Sequence, residues 1–513
     1  MKRLLVFSAL LACAISVYAQ AFFGEKPKLV VGVVVDQMRW DYLSRYYDQF
    51  GQDGFRRLID QGYSCNNCLI NYLPTVTSIG HTSVYTGSTP AFHGICGNSF
   101  YLNGRKMYCT GDDSVQTVGS ATDKGRMSPR NLLATTIGDQ LRLHTDFRSK
   151  VIGVSYKDRA AILPAGRSAN AAYWLDTKAS PVCFVSSTYY MQQLPQWVKN
   201  FNAQLGKDKE VQKAGKNIGF SPLCGTVTTD MAIAALQHEQ MGKGESTDML
   251  CVSYSQTDVI GHEWSTRGER VDAAYLQLDK DLARLLEALD RQVGRGNYLF
   301  FLTADHGGAH NWKFMREHKM NGGPWMDVQG RKDIEAAVAR RYGRELKPVV
   351  ADVIDYRVFL DRQSIASQGL DCKEVKRAIV DYLNGASEAG EDETNRHVCF
   401  AVAFDELMTT ALPPVLRDRM LLGYHPRRSG DIIFVVEPGY YDYGPWSSPT
   451  GTTHGEWNPY DAHIPLLFYG WKIGHGATSR EVHITDIAAT VCQLLHIQQP
   501  NACVGEAILE ITK

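Results

Sequence analysis

The sequence predicts an α/β fold: a central, mostly parallel sheet flanked by helices in three layers. Short apolar runs rich in β-branched residues alternate with helical patterns along the chain, as βαβ units do. The runs are apolar at consecutive positions, which is typical of strands buried on both faces. Polar residues follow several of them, and open α/β sheets bind ligands at the carboxyl ends of their strands.

Six segments carry the strand pattern and two carry a clear helical one. The strands are predicted at 29–35, 150–155, 248–253, 298–303, 431–436 and 464–469. Apolar positions at helical spacing predict helices over 269–292 and 485–495. The stretches at about 165–245 and 315–430 contain none of the candidate site residues. We interpret both as insertions into one catalytic domain that spans 20–513.

Composition excludes several classes of protein. The chain has 513 residues, 44% of them hydrophobic and 21% charged, which is ample for a core and excludes disorder. The net charge of −1 gives no support to a nucleic-acid-binding surface. No segment after the N-terminus has 18 consecutive apolar residues, so we expect no stable membrane span. Nothing in the sequence indicates an oligomeric state.

Residues 1–19 are typical of a secretory signal peptide. Lys2 and Arg3 precede an apolar stretch, and small residues lie before Gln20. The pattern predicts export to the periplasm or the exterior. Lipid attachment at Cys13 is disfavoured because it would leave an unusually short apolar region.

Cysteine usage permits disulfides without defining them. Cleavage before Gln20 would leave 11 of the 12 cysteines in an exported chain, where disulfides are allowed. Cys96 with Cys109 is one option, but connectivity does not follow from sequence.

Six carboxylate and imidazole side chains are candidate metal ligands. Asp258 and His262 are four residues apart, which places them on one face if the segment is helical. Most of the six lie at or just after predicted strand ends, and such a set suits two divalent ions of the zinc type. Taken singly, each is more often an ordinary loop residue. The six are Asp36, Asp258, His262, Asp305, His306 and His454.

Thr77 is the candidate nucleophile. It begins a predicted helix that runs through Tyr85, and a hydroxyl there faces oriented N–H groups that favour anions. A metal could deprotonate that hydroxyl for attack. The alternative is a threonine that only caps the helix.

Lys157 and Arg159 are candidate phosphoryl-binding cations. In extended backbone, residues two apart point the same way, and a lysine with an arginine can hold phosphoryl oxygens. Asn98 could donate to the same oxygens. The alternatives are a solvated surface pair and a turn residue.

The ordered motifs together resemble the alkaline phosphatase superfamily, in the branch shared with nucleotide pyrophosphatases/phosphodiesterases. The resemblance covers about 29–500 and is strongest to the PafA-type secreted phosphate monoesterases, because of Lys157, Arg159 and Asn98. The motifs are Val-Val-Asp36, Thr77-Ser-Ile-Gly-His81-Thr-Ser-Val-Tyr-Thr-Gly87, His93-Gly94-Ile95, Asp258-x-x-Gly-His262, Thr-Ala-Asp305-His306-Gly307 and Thr-His454-Gly455.

This resemblance implies the site's organisation. One Zn²⁺ would be held by Asp36, Asp305 and His306 together with the nucleophile Thr77. The other would be held by Asp258, His262 and His454. His463 is interpreted as structural.

The resulting hypothesis is a secreted zinc-dependent phosphate monoesterase that forms a covalent phosphothreonine. The nearest alternative is a phosphodiesterase or nucleotide pyrophosphatase with the same metals and nucleophile. A sulfatase is disfavoured because no Cys-x-Pro-x-Arg occurs. A non-catalytic binding protein would be expected to have lost a ligand or the nucleophile, and all are present.

Overall fold

The computed structural model describes residues 26–386, 392–444 and 447–512. The predicted signal peptide and its cleavage site lie outside these ranges. The described strands are β1 Leu29–Val35, β2 Tyr63–Cys65, β3 Cys68–Leu69, β4 Ser99–Leu102, β5 Arg105–Tyr108, β6 Thr117–Val118, β7 Val151–Ser155, β8 Ala171–Asp176, β9 Cys183–Ser187, β10 Asp248–Tyr254, β11 Tyr298–Thr303, β12 Gly323–Trp325, β13 Val350–Ile354, β14 Arg357–Leu360, β15 Val398–Ala403, β16 Ile432–Val436, β17 Tyr440–Asp442, β18 His463–Ile464, β19 Leu466–Gly470, β20 Gly476–Thr478 and β21 Val482–His483.

Helices of four to 24 residues lie between the strands. The described α-helices are α1 Tyr42–Arg45, α2 Phe55–Gln61, α3 Thr77–Thr86, α4 Pro90–His93, α5 Ile137–His144, α6 Asp158–Ala165, α7 Gln196–Leu205, α8 Lys209–Ala214, α9 Leu223–His238, α10 Gln256–Trp264, α11 Glu269–Gln292, α12 Trp312–Glu317, α13 Asp327–Tyr342, α14 Arg362–Ser367, α15 Cys372–Leu383, α16 Pro414–Gly423, α17 Pro459–Ala462, α18 Asp486–Leu494 and α19 Leu509–Thr512. Short 3₁₀ turns lie at Tyr47–Gln49, Gly215–Phe220 and Phe404–Glu406.

A mixed sheet flanked by helices forms the core. Among the described residues it has ten strands, in the order β20-β2-β19-β11-β1-β10-β7-β8-β9-β6. The five central strands, β11, β1, β10, β7 and β8, are parallel. Every residue of β1 is buried, as expected of an all-apolar strand inside a parallel sheet. The α/β prediction is confirmed.

Antiparallel pairs flank the parallel centre of this sheet on both sides, although the outermost strand β20 pairs parallel with β2. β19 pairs antiparallel with β11, so the strand predicted at 464–469 runs against its neighbour and begins at Leu466. On the other side β9 turns back against β8. Both β8 and β9 come from the first predicted insertion, which therefore extends the main sheet.

A second sheet corrects one sequence-based expectation. Strand β16 matches the run predicted at 431–436, but it lies in a separate antiparallel sheet with the order β13-β14-β16-β15. Residues of this sheet and of α13 and α15 share a hydrophobic cluster of their own. An apolar run shows that a strand is buried but not which sheet contains it.

Two further expectations concern membranes and cysteines. Within the described ranges, the structure contains no helix with the length and apolarity needed to cross a membrane. All eleven described cysteines are free thiols, including Cys96 and Cys109, so the disulfide considered for that pair does not form here.

Candidate active site

Three buried carboxylates meet at one edge of the main sheet. Asp36 follows β1, Asp258 lies in α10 just after β10, and Asp305 follows β11. These strands are adjacent and parallel, so their carboxyl ends share an edge. All three side chains are at most 4% exposed. The topology thus brings together residues more than 200 positions apart in sequence.

Asp258, His262 and His454 form the first group. His262 lies one turn after Asp258 in α10, and its Nε2 is 3.1 Å from Asp258 Oδ1. His454 Nε2 is 3.6 Å from the same oxygen. Each imidazole is oriented by a backbone carbonyl on its Nδ1, Thr452 for His262 and Thr75 for His454. The three ligand atoms are close enough to hold one metal ion.

Asp36, Asp305 and His306, the predicted second group, lie together, but the ligand atoms close enough to share one ion are those of Asp36, Asp258 and His306 and those of Asp36, His81 and Asp305. His306 Nε2 lies 3.5 Å from Asp36 Oδ1 and 3.4 Å from Asp305 Oδ2. Its Nδ1 bonds to the carbonyl of Gly307, which leaves Nε2 directed at the carboxylates. His306 and His454 stack with ring centroids 3.5 Å apart, so the two groups adjoin.

Thr77 lies at the start of α3, against the second group. Its Oγ1 is 3.3 Å from His306 Nε2. The helix is capped at Val76, and the Thr77 side chain makes no capping hydrogen bond. The cap alternative therefore does not describe this hydroxyl, which faces the carboxylate and imidazole cluster.

Asn98 is tied to the same helix start. Its Oδ1 accepts a hydrogen bond from the backbone N–H of Ser78, at 3.2 Å. This contact directs the oxygen towards the helix and leaves the amide N–H₂ as the group that could donate to a ligand.

Lys157 lies between the two groups. Its Nζ is 2.7 Å from Asp36 Oδ2 and 2.5 Å from Asp258 Oδ2. Burial lowers the pKa of Lys157, but Asp258 and Asp36 outweigh burial and raise it overall. The side chain is therefore an ammonium ion at neutral pH.

Arg159 departs from the expected geometry. Lys157 has extended backbone, but α6 begins at Asp158, so Arg159 is already helical and does not share its direction. Arg159 Nη1 instead donates to Tyr108 Oη at 3.1 Å, and Tyr108 donates to Asp158 Oδ1 at 2.9 Å. The extended backbone expected for both Lys157 and Arg159 was wrong for Arg159, because α6 begins at Asp158.

Burial and mutual repulsion dominate the electrostatics. Burial, followed by the nearby Asp305, raises the pKa of Asp36 well above its ordinary value. For Asp258, burial is outweighed by His262 and Lys157, which hold its pKa well below the usual range. Burial and the neighbouring His306 lower the pKa of His454. Burial likewise lowers the pKa of His306, so His306 and His454 are neutral, the form that binds a metal ion, whereas Asp258 raises the pKa of His262.

The donor set fits divalent cations. Asp36 Oδ1 is buried without a hydrogen-bond donor among the described residues. A buried carboxylate oxygen without a donor is costly, and a bound cation removes that cost. Carboxylate oxygens with imidazole nitrogens are ligands that zinc accepts.

Three supporting residues were not assigned from sequence. Gln37, in left-handed backbone, donates its N–H to Asp305 and its side-chain amide to Asp258, linking the two groups. His81 stands one turn after Thr77 and lies 3.1 Å from Asp305 Oδ2. The position of His81 four residues after Thr77, in the same motif, could have identified it from sequence. No sequence pattern pointed to Gln37 or to Tyr108, the partner of Arg159.

His463 lies outside these groups, as interpreted. Its Nε2 bonds to the carbonyl of Asn66 and its ring stacks on Trp40.

Comparison with known proteins identifies the family to which this chain belongs. Residues 30–459 match the type I phosphodiesterase / nucleotide pyrophosphatase family. The chain belongs to this family. The match covers all of the candidate ligands and confirms the predicted superfamily.

Similar proteins extend along nearly the whole chain. A Myroides odoratus protein named calcium-transporting ATPase is 42% identical over 95% of each chain. Alkaline phosphatase PafA of Elizabethkingia meningoseptica is 40% identical over 95% of this chain and 94% of its own. A crystal structure of wild-type PafA is 40% identical, with a TM-score of 0.88 over 96% of this chain and 100% of that one.

A second PafA structure is of a substituted protein. A threonine is replaced by serine, and an asparagine, a lysine and an arginine by alanine. It is 40% identical to this chain, with a TM-score of 0.87 over 95% of this chain and 99% of that one. The separations within the threonine–asparagine and lysine–arginine pairs equal those of Thr77 with Asn98 and of Lys157 with Arg159.

Proposed function

We propose that the protein is an exported, zinc-dependent alkaline phosphatase that hydrolyses phosphate monoesters through a phosphothreonine at Thr77. The observation that carries the proposal is the Thr77 hydroxyl, free of any capping bond and 3.3 Å from His306 at the edge of two carboxylate–imidazole groups. The 40% identity to an alkaline phosphatase over nearly the whole chain supports the same activity.

Two bound cations would favour the Thr77 alkoxide and offset negative charge on the phosphoryl and leaving oxygens. Asp36, Asp305 and His306 would hold one, and Asp258, His262 and His454 the other. The Thr77 oxygen forms a bond to phosphorus while the bond to the ester oxygen breaks. Thr77 gives up its hydroxyl proton to solvent, and the departing alkoxide takes a proton from solvent and leaves as the alcohol. Water then attacks phosphorus, the bond to the Thr77 oxygen breaks, that oxygen regains a proton, and phosphate is released. Lys157, Arg159 and Asn98 bind the non-bridging oxygens throughout.

The two cationic side chains favour monoesters over diesters. A monoester dianion carries more charge than a diester, so it gains more from an ammonium and a guanidinium nearby. The substituted PafA supports this choice of residues, because its changes fall on the same four residue types at the same separations within each pair. The phosphodiesterase alternative is favoured by the family description itself.

Replacing the nucleophile tests the covalent step. In Thr77→Ala, monoester turnover should fall by about 10³-fold or more, because no hydroxyl remains to attack. Thr77→Ser keeps a hydroxyl and should keep measurable turnover. Mass spectrometry of acid-quenched protein should find phosphate on residue 77 in wild type and not in Thr77→Ala. Wild-type turnover by Thr77→Ala would contradict the mechanism.

Replacing both cations separates the two candidate activities. In Lys157→Ala/Arg159→Ala, kcat/KM should fall far more for an aryl phosphate monoester than for a matched diester. The matched control is Lys373→Ala/Arg377→Ala, which removes an exposed lysine and arginine from α15. Equal losses on both esters would favour a phosphodiesterase. Rates on a sulfate ester, and rates on every ester in the presence of EDTA, are measured as well to test for sulfatase activity and for metal dependence.

A further inference from the structure

A cavity of about 380 Å³ opens beside the first metal-binding group. His262 lines it, and the His262 side chain is 40% exposed whereas that of His454 is 6% exposed. The cavity wall comes from α10, the start of α13 and the segment that contains β17. Ligands of active sites occupy such concave spaces.

The leaving group of the ester would face this cavity. Thr77 lies against the second group, 3.3 Å from His306. In an in-line displacement the nucleophile and the leaving oxygen are on opposite sides of phosphorus. The leaving oxygen therefore faces the first group, whose exposed member is His262. This step rests on the proposed function.

The cavity is acidic. Glu263, Asp327 and Asp442 line it, and no lysine or arginine of the described residues does. None of the three carboxylates forms an ion pair within the described ranges, and Asp442 Oδ1 is buried without a donor there. Arg331, one turn after Asp327, lines a neighbouring cavity that Asp327 also borders, but it does not line this one and forms no ion pair with Asp327. Glu263 and Asp327, joined by Asp442 once its carboxyl ionises above a pH of about 7, make the space favourable for a cation.

Aromatic side chains line the same cavity. Phe220, Tyr441 and Tyr443 contribute to the wall. Aromatic faces attract ammonium groups through the ring quadrupole, and quaternary ammonium ligands are recognised in this way. Carboxylates combined with aromatic rings therefore suit a substituted ammonium better than a bare metal ion.

We propose that this cavity selects phosphate monoesters whose alcohol carries an ammonium group, and disfavours those whose alcohol carries a further negative charge. The phosphoryl group would lie between the two metal-binding groups, and the ammonium would lie among Asp327, Asp442 and the aromatic rings.

The test compares three esters on the metal-loaded enzyme. The probes are phosphocholine, glycerol 2-phosphate and 3-phosphoglycerate, which have a cationic, a neutral and an anionic leaving alcohol. Wild type should show a higher kcat/KM for phosphocholine than for 3-phosphoglycerate, and this ratio should shrink as salt is raised. In Asp327→Asn/Asp442→Asn the ratio should fall about tenfold, with glycerol 2-phosphate little changed.

Controls make the outcome decisive. Glu345→Gln removes an exposed carboxylate near the end of α13 and should leave the ratio unchanged. If the double variant does not fold, Glu263→Gln and the salt series on wild type give the answer. An unchanged ratio in a folded variant, or no wild-type preference, overturns the inference alone. Failure to hydrolyse glycerol 2-phosphate overturns the proposed function as well.

Discussion

Single residues of the site act through partners that other parts of the chain supply. Arg159 illustrates this, because its Nη1 contacts Tyr108 Oη rather than a carboxylate. Tyr108 is held in turn by Asp158. Under the proposed function, a guanidinium fixed in this way would be pre-oriented for a bidentate contact with a phosphoryl group.

Tyr108→Phe should lower kcat/KM for a phosphate monoester by about tenfold, because it removes a hydrogen bond to a charged group. The loss should be smaller for a diester, which depends less on Arg159. Steady-state kinetics on both esters measure the difference. Tyr190→Phe is the matched control, since the buried Tyr190 hydroxyl has no partner among the described residues. An equal effect on both esters would show that Tyr108 is merely structural.

The candidate ligands were predictable from sequence because their signals are local. Asp36 and Asp305 directly follow apolar runs, and His262 follows Asp258 at helical spacing. Gln37 and Tyr108 gave no such signal, because their roles depend on partners far along the chain. The same limit applies to Arg159, whose direction depends on where α6 begins.

At the scale of elements, α3 and the turn after β11 are in direct backbone contact. A Cβ added at Gly80 would lie 2.1 Å from the carbonyl oxygen of Asp305. The close approach brings the helix that carries Thr77 to the turn that carries Asp305 and His306. The glycine is thus required by packing, and it sets the distance between Thr77, the proposed nucleophile, and the candidate ligands Asp305 and His306.

Gly80→Ala should push α3 away from that turn and cost about 1–3 kcal/mol of unfolding free energy. Turnover should fall as well, because Thr77 moves with the helix. Urea denaturation and monoester kinetics measure the two effects. Gly474→Ala adds a methyl where nothing lies within 4 Å and should change neither. Unaltered stability in Gly80→Ala would mean that the helix can shift freely.

The bounds of helices and strands could be predicted from sequence more fully than the pairing of the strands. The helix over 269–292 appears with those bounds because its apolar stripe is long and regular. The strand at 432–436 was found, but its place in a second sheet was not. Strand patterns report burial, whereas pairing depends on residues that the local sequence does not specify.

At the scale of the whole molecule, buried acids outside the metal-binding groups make stability depend on pH. Burial, followed by Asp327 and Asp355, raises the pKa of Asp442 to about 7. The unfolded value is about 3.9. Between these values the folded chain holds a proton that the unfolded chain has lost. Stability therefore falls as pH rises from about 4 to about 7.

Asp442→Asn removes this titration. The difference in Tm between variant and wild type should be larger, in favour of the variant, at pH 8 than at pH 4.5. Calorimetry at the two pH values measures it. Asp146→Asn changes an exposed aspartate in left-handed backbone, which asparagine tolerates, and should give the same difference at both. A pH-independent difference for Asp442→Asn would show that its carboxyl is ionised in the folded chain.

The position of β1 also governs how the chain can fold. Leu29 pairs with Asp248 on one side and with Tyr298 on the other, so the first strand in sequence has neither neighbour until much later in the chain. Long-range pairing of this kind carries a large loop-closure cost and folds slowly. During synthesis, no chain shorter than about 300 residues can complete the central sheet. The nascent chain thus stays open, without a catalytic centre, until most of it has been made.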